Sequence, residues 1–378
     1  MGFHIPFVRH FREQGWRVDG AARGISEDAG VAGAFDHVFD LPFSRSLTDV
    51  QALSAGGAAL AAALDHNYDI VHVHTPIAAF VTRAMIRRLP RRSRPRVVYT
   101  AHGFHFHRDG HWLTNTLFIT AERIAGRWTD RLVVINQEDL AAARRYRLVP
   151  ATRLRYMHGI GVDTDWYAPA EVSPEASRAA LQSVGMDTDR PYFVSVGELN
   201  RNKRPTDVVR ALAQMHEREP ALLFLGVGPE RERVEHLARQ LGVAHRVVVP
   251  GEFVADVRPL VAPAIALVQA SKREGLPRSI MEALSLEVPV ITSAARGSTE
   301  LVAEDRGEVV PVGATTQMAA AMDRLLRCPA ERLEMGRRGR QLMVERYDLK
   351  RIVAEHERLY GELLEKGGRN GDQVTAHA

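Results

Sequence analysis

The 378-residue chain has little cysteine, little lysine and no long apolar run. Its one cysteine, Cys328, excludes an intramolecular disulfide framework and a cysteine-based zinc site. No apolar run reaches the ~18 residues that a membrane-spanning helix needs. The start, Met1-Gly2-Phe3-His4, has neither the basic region nor the apolar region of a signal peptide. We therefore expect a cytoplasmic protein.

Positive charge is concentrated in the first half of the chain. Only four of the 50 basic residues are lysines, so 46 are arginines. Residues 1–165 hold 21 arginines and 16 acidic residues, a surplus of +5, and since the whole chain is +4 the remainder is −1. This asymmetry points to an anionic partner for the first half rather than for the whole chain.

Seven arginines lie between Arg83 and Arg96. One interpretation is a solvated helix end and loop. The other is a surface attracted to anionic lipid headgroups, where each charge contributes ~1 kcal/mol. The apolar residues Trp112-Leu113 and 117–119 would then form a lip beside it. Nucleic acid is not an expected partner, because no nucleic-acid-binding motif accompanies the charge.

Short β-branched runs alternate with helical patterns along the whole chain, which predicts α/β domains with parallel sheets. The predicted strands are 69–74, 96–100 and 131–135 in the first half, and 192–196, 221–225, 247–249, 265–268 and 288–291 in the second. The predicted division is an N-terminal domain over 1–165, a second domain over 166–345, a helix over 346–366 that packs back on the first domain, and a flexible tail over 367–378.

The first half begins with a predicted helix from Pro6 to Gln14. A doubly wound domain normally opens with a strand and a glycine-rich turn. Two explanations stay open: the first sheet is one strand short, with Gly2 as the remnant of the turn, or the start of the chain is misassigned.

Two loops of the second half contain the clearest chemical pattern. Ligands of open parallel sheets bind beyond the carboxyl ends of the strands. The loop 197–204 follows a strand and presents three cations, Arg201, Lys203 and Arg204, which suit phosphate oxygens. A solvated turn is the alternative. Against it, only four lysines occur in the chain, and two of them fall in this loop and in the next one described, at Lys203 and Lys272.

The second loop leads from Glu274 to Glu282, two glutamates eight residues apart. Pro277 and Ser279 predict a helix start, whose amides can receive an anion such as a diphosphate. The alternative is a capping box, in which Ser279 is the N-cap and Glu282 its partner. Weaker patterns follow three other strands, at 226–230, 251–253 and 296–300.

These loops resemble the nucleotide-binding half of family 4 glycosyltransferases. The residues that carry the resemblance are Gly197 to Lys203, Gly226-Val227-Gly228-Pro229 and Glu274 to Ile291. The resemblance implies a GT-B fold, in which two Rossmann-like doubly wound domains face a cleft. It also implies transfer from a nucleotide-diphosphate sugar with retention of configuration and without a metal or other cofactor.

The resemblance also assigns roles to residues. Glu274 is expected beside the donor sugar and Glu282 on the nucleotide ribose, while Arg201 and Lys203 hold the diphosphate. The remaining expected donor-binding residues are Gly228, Phe253, Gly275, Leu276, Pro277 and Ser298. The chain departs from the family at Glu198, where arginine is frequent, and at 265–271, which lacks the family's aspartate and proline.

In the first half, 100–106 reads TAHGFHF, which resembles the CapM-like transferases of capsule and exopolysaccharide synthesis. The resemblance implies that His102 faces the donor sugar, so the expected catalytic residues are His102, Glu274 and Lys203. The expected acceptor-side residues are Gly2, His4 and Phe104. A metal site of His102, His105, His107 and His111 is a disfavoured alternative, and His72 and His74 are expected to be buried strand residues.

We therefore predict a retaining hexosyltransferase that uses a UDP-linked sugar and a lipid-linked saccharide acceptor in surface polysaccharide or glycoconjugate synthesis. The predicted location is the cytoplasm, with peripheral binding to the inner membrane face. Two alternatives stay open: a UDP-sugar 2-epimerase of the same fold, and a non-catalytic partner subunit of a transferase.

Overall fold

The structure, a computed structural model, describes residues 4–43, 50–106, 110–365 and 375–377, with the backbone alone at 50–53 and 375–377. The chain divides into two compact units. The first comprises residues 1–160 and 352–378, and the second comprises residues 161–351. In the part of the chain that the structure describes, no helix is both long enough and apolar enough to cross a bilayer.

The first unit contains two parallel sheets. The larger has the order β3-β4-β5-β6, with β3 at Ile70–Val73, β4 at Arg96–Ala101, β5 at Arg131–Val134 and β6 at Leu154–Tyr156. The helices of the first unit before residue 160 are α1 (Ile5–Glu13), α2 (Ala29–Ala32), α3 (Val50–Leu64), α4 (Pro76–Arg88), α5 (Trp112–Gly126) and α6 (Gln137–Arg145). Strands and helices alternate, which is the arrangement that the sequence predicts.

The smaller sheet of the first unit has the order β13-β1-β2, with β1 at Arg17–Ala22, β2 at His37–Asp40 and β13 at Thr375–His377. Within the described residues α1 comes before the first strand, as expected. Strand β13 pairs in parallel with β1 from Arg17 to Asp19 and lies beside β3. For these three residues a strand takes the place of the expected flexible tail.

The second unit is built on one parallel sheet of order β12-β11-β10-β7-β8-β9. The strands are β7 (Tyr192–Val196), β8 (Ala221–Leu225), β9 (Val247–Val248), β10 (Leu267–Gln269), β11 (Val290–Ser293) and β12 (Gly307–Val310). The helices are α7 (Pro174–Ser183), α8 (Pro205–Gln214), α9 (Arg231–Gln240), α10 (Arg258–Val261), α11 (Arg278–Ser285), α12 (Arg296–Val302), α13 (Thr315–Arg327) and α14 (Pro329–Leu342).

The central strands of this sheet are apolar on both faces. Along β7, Tyr192 and Val194 pack into one apolar cluster and Phe193 into the other. Along β8, Leu223 packs into the same cluster as Tyr192, and Leu222 packs into the same cluster as Phe193. Successive side chains point to opposite faces of a strand. The continuous apolar run therefore reflects helices on both sides of the sheet, which is typical of parallel α/β layers.

The last helix, α15, covers Leu349–Glu365. From Ile352 onward it groups with the first unit. Its buried residues, spaced as one helical face, are Ile352, Val353, His356, Leu359, Tyr360 and Leu363. The hydroxyl of Tyr360 and Nδ1 of His72 in β3 lie 2.5 Å apart. This contact ties the end of the chain to the larger sheet of the first unit.

Candidate active site

Lys203 and Glu274 form an ion pair at the carboxyl edge of the second unit's sheet. Lys203 Nζ lies 2.7 Å from Glu274 Oε1, and the two side chains are 24% and 12% exposed. Gln269 Nε2 donates to the same carboxylate oxygen at 3.2 Å. The loops that the sequence singled out after β7 and after β10 therefore meet, and they bring a cation and a carboxylate to one place.

Backbone contacts fix the loop that carries Lys203. Asn200 Oδ1 accepts hydrogen bonds from the backbone amides of Asn202 and Lys203, at 3.0 and 2.9 Å. Asn202 in turn donates its side-chain amide to the carbonyl of Arg273 and accepts from the backbone amide of Lys272. The loop is thus a locked turn joined to the next loop, so the position of the Lys203 ammonium is set before any ligand binds.

Glycines allow neighbouring loops to approach closely. A Cβ at Gly226 would lie 2.0 Å from the carbonyl oxygen of Gly197, and one at Gly297 would lie 2.0 Å from that of Gly275. Gly228, an expected donor-binding residue, has a φ of +155° and packs against the backbone of Leu199. These glycines are needed for backbone packing, and they hold the loops after four strands side by side.

Three buried polar atoms next to these loops have no hydrogen-bond partner among the described residues. They are Gln269 Oε1, Ser271 Oγ and Ser298 Oγ. Gln269 is 4% exposed, and both serines are fully buried. Burying an unsatisfied polar group costs about 1–3 kcal/mol. Such groups fit a polar ligand that would supply the missing partners, and Ser298 is one of the predicted donor-binding residues.

Glu282 lies in the second turn of α11 and has its own partners. Arg278 Nε lies 2.7 Å from Glu282 Oε1, and the Tyr167 hydroxyl donates to the same oxygen at 2.9 Å. Burial raises the pKa of Glu282, and the charge of Arg278 opposes this increase. The predicted capping box is absent, since Pro277 is the N-cap and Ser279 lies inside the helix. Glu282 therefore has no capping role at the start of this helix.

The remaining predicted donor-binding residues differ in exposure. Arg201 is 90% exposed and its Nε is 3.6 Å from Glu230 Oε1, so it is a surface cation beside the locked loop. Phe253 is 80% exposed in the loop after β9, which leaves its ring free to stack on a ligand. Pro277 is buried at the start of α11, and Leu276 packs against the core.

In the first unit, His102 belongs to a group of three histidines. His102 Nε2 lies 3.1 Å from His74 Nδ1, and the rings of His74 and His4 are 4.3 Å apart. One ring nitrogen from each of the three lies within 4.8 Å of the others. His74 and His102 directly follow β3 and β4, so both stand at the carboxyl edge of the sheet.

A cavity of about 30 Å³ lies beside these histidines, with His72, Thr100 and Tyr360 also in its lining. This is enough room to hold a water molecule. His74 Nε2 is buried and has no hydrogen-bond partner among the described residues. The cavity therefore offers a nitrogen acceptor or donor to one small polar group, such as a water or a hydroxyl.

Burial makes these imidazoles weak bases. Burial lowers the pKa of His102 to about 4 and that of His4 to about 3, with neighbouring histidines adding to the decrease. Burial also lowers the pKa of His74 and of His72. At neutral pH the group is therefore uncharged, and it can exchange hydrogen bonds with a sugar hydroxyl or offer ring nitrogens to a metal ion.

Several expectations for the first unit need correction. Phe104 is not an acceptor-side residue, because it is 5% exposed and its ring stacks on Phe106 within the core. His72 is a buried strand residue as expected, whereas His74 belongs to the histidine group. Gly2 lies outside the described residues. Of the four clustered histidines in sequence, His105 is exposed and His107 lies outside the described residues.

Arg83 is also misassigned. Its side chain is 1% exposed, its Nη2 lies 3.1 Å from Glu122 Oε2, and its guanidinium lies 4.3 Å from the ring centre of Tyr99. An arginine buried in this way stabilises the interior and cannot reach a lipid headgroup. Sequence reasoning in turn missed Tyr167, Arg278 and His74, of which only Arg278 had a visible signal, its spacing of four from Glu282 on one helix.

Comparison with known proteins decides the family. Residues 7–166 match the model of Glycosyltransferase Family 4, and residues 177–342 match that of Glycosyl transferases group 1. A glycosyltransferase named EpsD from Bacillus subtilis (strain 168) is 31% identical over 96% of this chain and 93% of its own. The chain belongs to glycosyltransferase family 4. It is an enzyme that transfers a sugar from a nucleotide sugar.

Other family members and solved structures agree with this assignment. The UDP-Gal:alpha-D-GlcNAc-diphosphoundecaprenol alpha-1,3-galactosyltransferase of Escherichia coli is 27% identical over 62% of this chain and 60% of its own. Sucrose-phosphate synthase from Thermosynechococcus elongatus superposes with a TM-score of 0.78 at 20% identity, over 96% and 92% of the chains. Anabaena Alr3699/HepE, solved with UDP-glucose, gives 0.74 at 18%, over 96% and 95%. The fold of this family 4 enzyme is GT-B.

Proposed function

We propose that this glycosyltransferase uses a UDP-linked sugar and transfers it with retention to a hydroxyl of a lipid-linked saccharide. The observation that carries the proposal is the Lys203–Glu274 pair beside three unsatisfied buried polar atoms. The relative from Escherichia coli, named for a UDP-galactose donor and a diphosphoundecaprenol acceptor, supports this choice of substrates. The epimerase and partner-subunit alternatives lose their support, because the matching family models and EpsD are glycosyltransferases.

The reaction breaks the bond between the anomeric carbon and the β-phosphate oxygen and forms a bond to the acceptor oxygen. Negative charge develops on the departing diphosphate, whose oxygen takes up the proton that the acceptor hydroxyl loses. The fixed ammonium of Lys203, helped by Arg201, is suited to stabilise that charge without rearrangement. We therefore propose a transfer that requires no metal or other cofactor.

Two further side chains complete the proposed mechanism. Glu274, held by Lys203 and Gln269, is proposed to accept hydrogen bonds from hydroxyls of the donor sugar and so to orient it. His102 is proposed as the polar group next to the reacting sugar, uncharged at neutral pH because burial lowers its pKa to about 4. Neither residue needs to form a covalent intermediate for this role.

We also propose that the enzyme works at the cytoplasmic face of an anionic membrane, where lipid-linked acceptors are found. Helix α5 supports this, because Trp112, Leu113 and Leu117 are 68%, 55% and 61% exposed. Exposed aromatic and leucine side chains on one helix suit the boundary between headgroups and acyl chains. The arginines after α4, without the buried Arg83, would supply attraction to anionic headgroups.

Replacing Glu282 by alanine tests the nucleotide site. Because hydrogen bonds to a charged group contribute ~1.5–3 kcal/mol, we expect the dissociation constant for UDP to rise at least about tenfold. Calorimetric titration with UDP measures it, and Glu252→Ala, an exposed carboxylate in the neighbouring loop, is the matched control. Equal affinity in Glu282→Ala and wild type would overturn the assignment of Glu282 to the ribose.

The chemical outcome needs a separate test. The enzyme is incubated with an α-linked UDP-sugar and a polyprenyl-diphosphate saccharide in the presence of EDTA, and the product is analysed by NMR. We expect an α-linkage and an unchanged rate after chelation. A β-linked product contradicts retention, and activity that EDTA abolishes and a divalent metal restores contradicts the cofactor-free mechanism.

A further inference from the structure

The first unit has a second cavity, at the opposite edge of its larger sheet from the histidine group. Asp69, Arg96 and Asp130 line it, and each stands at or just before the start of a strand. The strands are parallel, so their amino ends share one edge and their carboxyl ends the other. Arg96 opens β4 and His102 follows its end, so the two edges are roughly 20 Å apart at ~3.3 Å per residue.

This cavity has a volume of about 620 Å³ and an unusually basic lining. Its seven arginines come from the end of α4, the connection into β4, the end of α5 and the turn before β6; they are Arg87, Arg91, Arg92, Arg94, Arg96, Arg127 and Arg153. Asp69 and Asp130 are the carboxylates among the lining residues. Three stretches of chain that are separate in sequence, 87–96 and the positions 127 and 153, thus bring positive charge to one cavity that is open to solvent.

The carboxylates do not neutralise this charge. Asp130 pairs with Arg96 at 3.3 Å, whereas Arg94 and Arg153 donate to backbone carbonyls. Arg87, Arg91 and Arg127 make no ion pair within the described chain. Several guanidinium groups therefore keep unused donors toward the cavity, and guanidinium groups bind phosphate oxygens in a bidentate manner.

Helix geometry alone does not account for this cluster. Arg87 stands in the last turn of α4, where a cation compensates the helix dipole. That reasoning does not cover Arg91 and Arg94, which lie beyond the helix. Partial desolvation and the charges of Arg87 and Arg91 lower the pKa of Arg94, as expected for like charges held close together. An anion in the cavity would relieve that repulsion.

The remainder of the lining is apolar and includes Trp128, Leu363 and Leu364. A volume between ~300 and 1,000 Å³ with a mixed lining is typical of small-molecule sites. We propose that this cavity is a second anion site, which binds a polyphosphate group and is separate from the nucleotide-sugar site. The proposal does not depend on the donor, acceptor or membrane contact proposed above.

Titration with sodium tripolyphosphate tests the site, with tryptophan fluorescence as the readout because Trp128 lines the cavity. Trp128→Phe identifies the part of the signal that comes from this position. Arg87→Ser/Arg91→Ser removes two cations that make no ion pair in the described chain, so folding should survive. We expect at least a roughly tenfold weaker affinity for tripolyphosphate, since each lost contact is charge-assisted.

Two controls separate this site from other sources of binding. Arg9→Ser/Arg144→Ser removes the same charge from exposed positions of the same unit, and Lys203→Ala removes the cation of the second unit's site. Both should keep the wild-type affinity in the part of the signal that comes from Trp128, although Lys203→Ala removes a cation proposed to hold the donor diphosphate. No binding by the wild type, unchanged affinity in the Arg87/Arg91 variant, or an equal loss in either control overturns the proposal.

A lipid headgroup and a soluble metabolite could both supply the phosphate groups. Flotation with phosphatidylglycerol vesicles, with and without tripolyphosphate, distinguishes them. Vesicle binding that tripolyphosphate displaces, and that the Arg87/Arg91 variant loses, assigns the site to a headgroup. Vesicle binding unaffected by either change assigns it to a soluble polyphosphate, and in both cases the tripolyphosphate titration decides whether the site exists.

Discussion

At the scale of single residues, the chain offers an internal comparison between two lysines. Lys203 lies in a locked turn with its ammonium on Glu274, and Lys272 lies in the adjoining loop with an exposed side chain. Both carry the same charge near the same edge of the sheet. Only Lys203 has a fixed position, so the contribution of a preorganised cation can be separated from that of general positive potential.

We predict that Lys203→Ala lowers the turnover number by about 10²-fold or more, a loss typical of removing one electrostatic stabiliser of a transition state. UDP binding should weaken much less. Lys272→Ala should leave both quantities near the wild-type values. Steady-state kinetics with the nucleotide sugar and calorimetry with UDP measure these effects, and equal losses of turnover in the two variants would contradict the assignment.

The sequence predicts a shared site for residues whose positions follow from predicted strands, but not for residues that only tertiary packing brings together. Glu274 and Lys203 stand in loops that follow predicted strands, and Glu282 stands in the helix after one of these loops, so their shared edge could be predicted. The histidine group could not, because His4, His74 and His102 come together only through tertiary packing. Arg83 shows the opposite error. A run of arginines predicts exposure, whereas Glu122 and Tyr99 provide this one with buried partners.

At the scale of elements, continuously apolar strands are predictable and strands that contain polar residues and glycine are not. The runs 192–196 and 221–225 coincide with β7 and β8, because strands buried on both faces are continuously apolar. Strand β1, with the sequence RVDGAA, contains an aspartate and a glycine that disfavour strand prediction. The strand forms because it pairs with β2 on one side and with β13 on the other, which compensates for its low intrinsic strand propensity.

Strand β13 gives a prediction for a truncated chain. Removing residues 367–378 would expose the backbone groups on one side of β1 from Arg17 to Asp19. We expect faster amide hydrogen exchange in β1 and a melting temperature lower by a few degrees, since ~1 kcal/mol corresponds to ~2–4 °C for units of this size. Exchange in β7 of the second unit is the internal control. Unchanged protection of β1 would show that β13 contributes no stability.

At the scale of the whole molecule, the described histidines whose pKa is lowered by burial lie in the first unit. His356 in α15 is 7% exposed, and its Nδ1 lies 2.9 Å from the carbonyl oxygen of Ile352. Burial lowers its pKa to about 4, although this hydrogen bond acts in the opposite direction. With His4 and His102, three imidazoles therefore stay uncharged in the folded unit at pH values where an unfolded chain binds protons.

The sign of the resulting pH dependence follows from proton uptake. Between the unfolded pKa of ~6.5 and the folded value of about 4, the unfolded chain binds more protons, so stability falls as the pH is lowered through this window. Each fully buried histidine contributes at most ~1.4 kcal/mol per pH unit. We expect urea unfolding of the first unit to show this loss between pH 6.5 and 5, with a smaller slope in His356→Gln. If the variant and the wild type lose stability equally over that range, His356 does not remain uncharged in the folded protein. Its imidazole would then be more accessible to protons than its packing indicates.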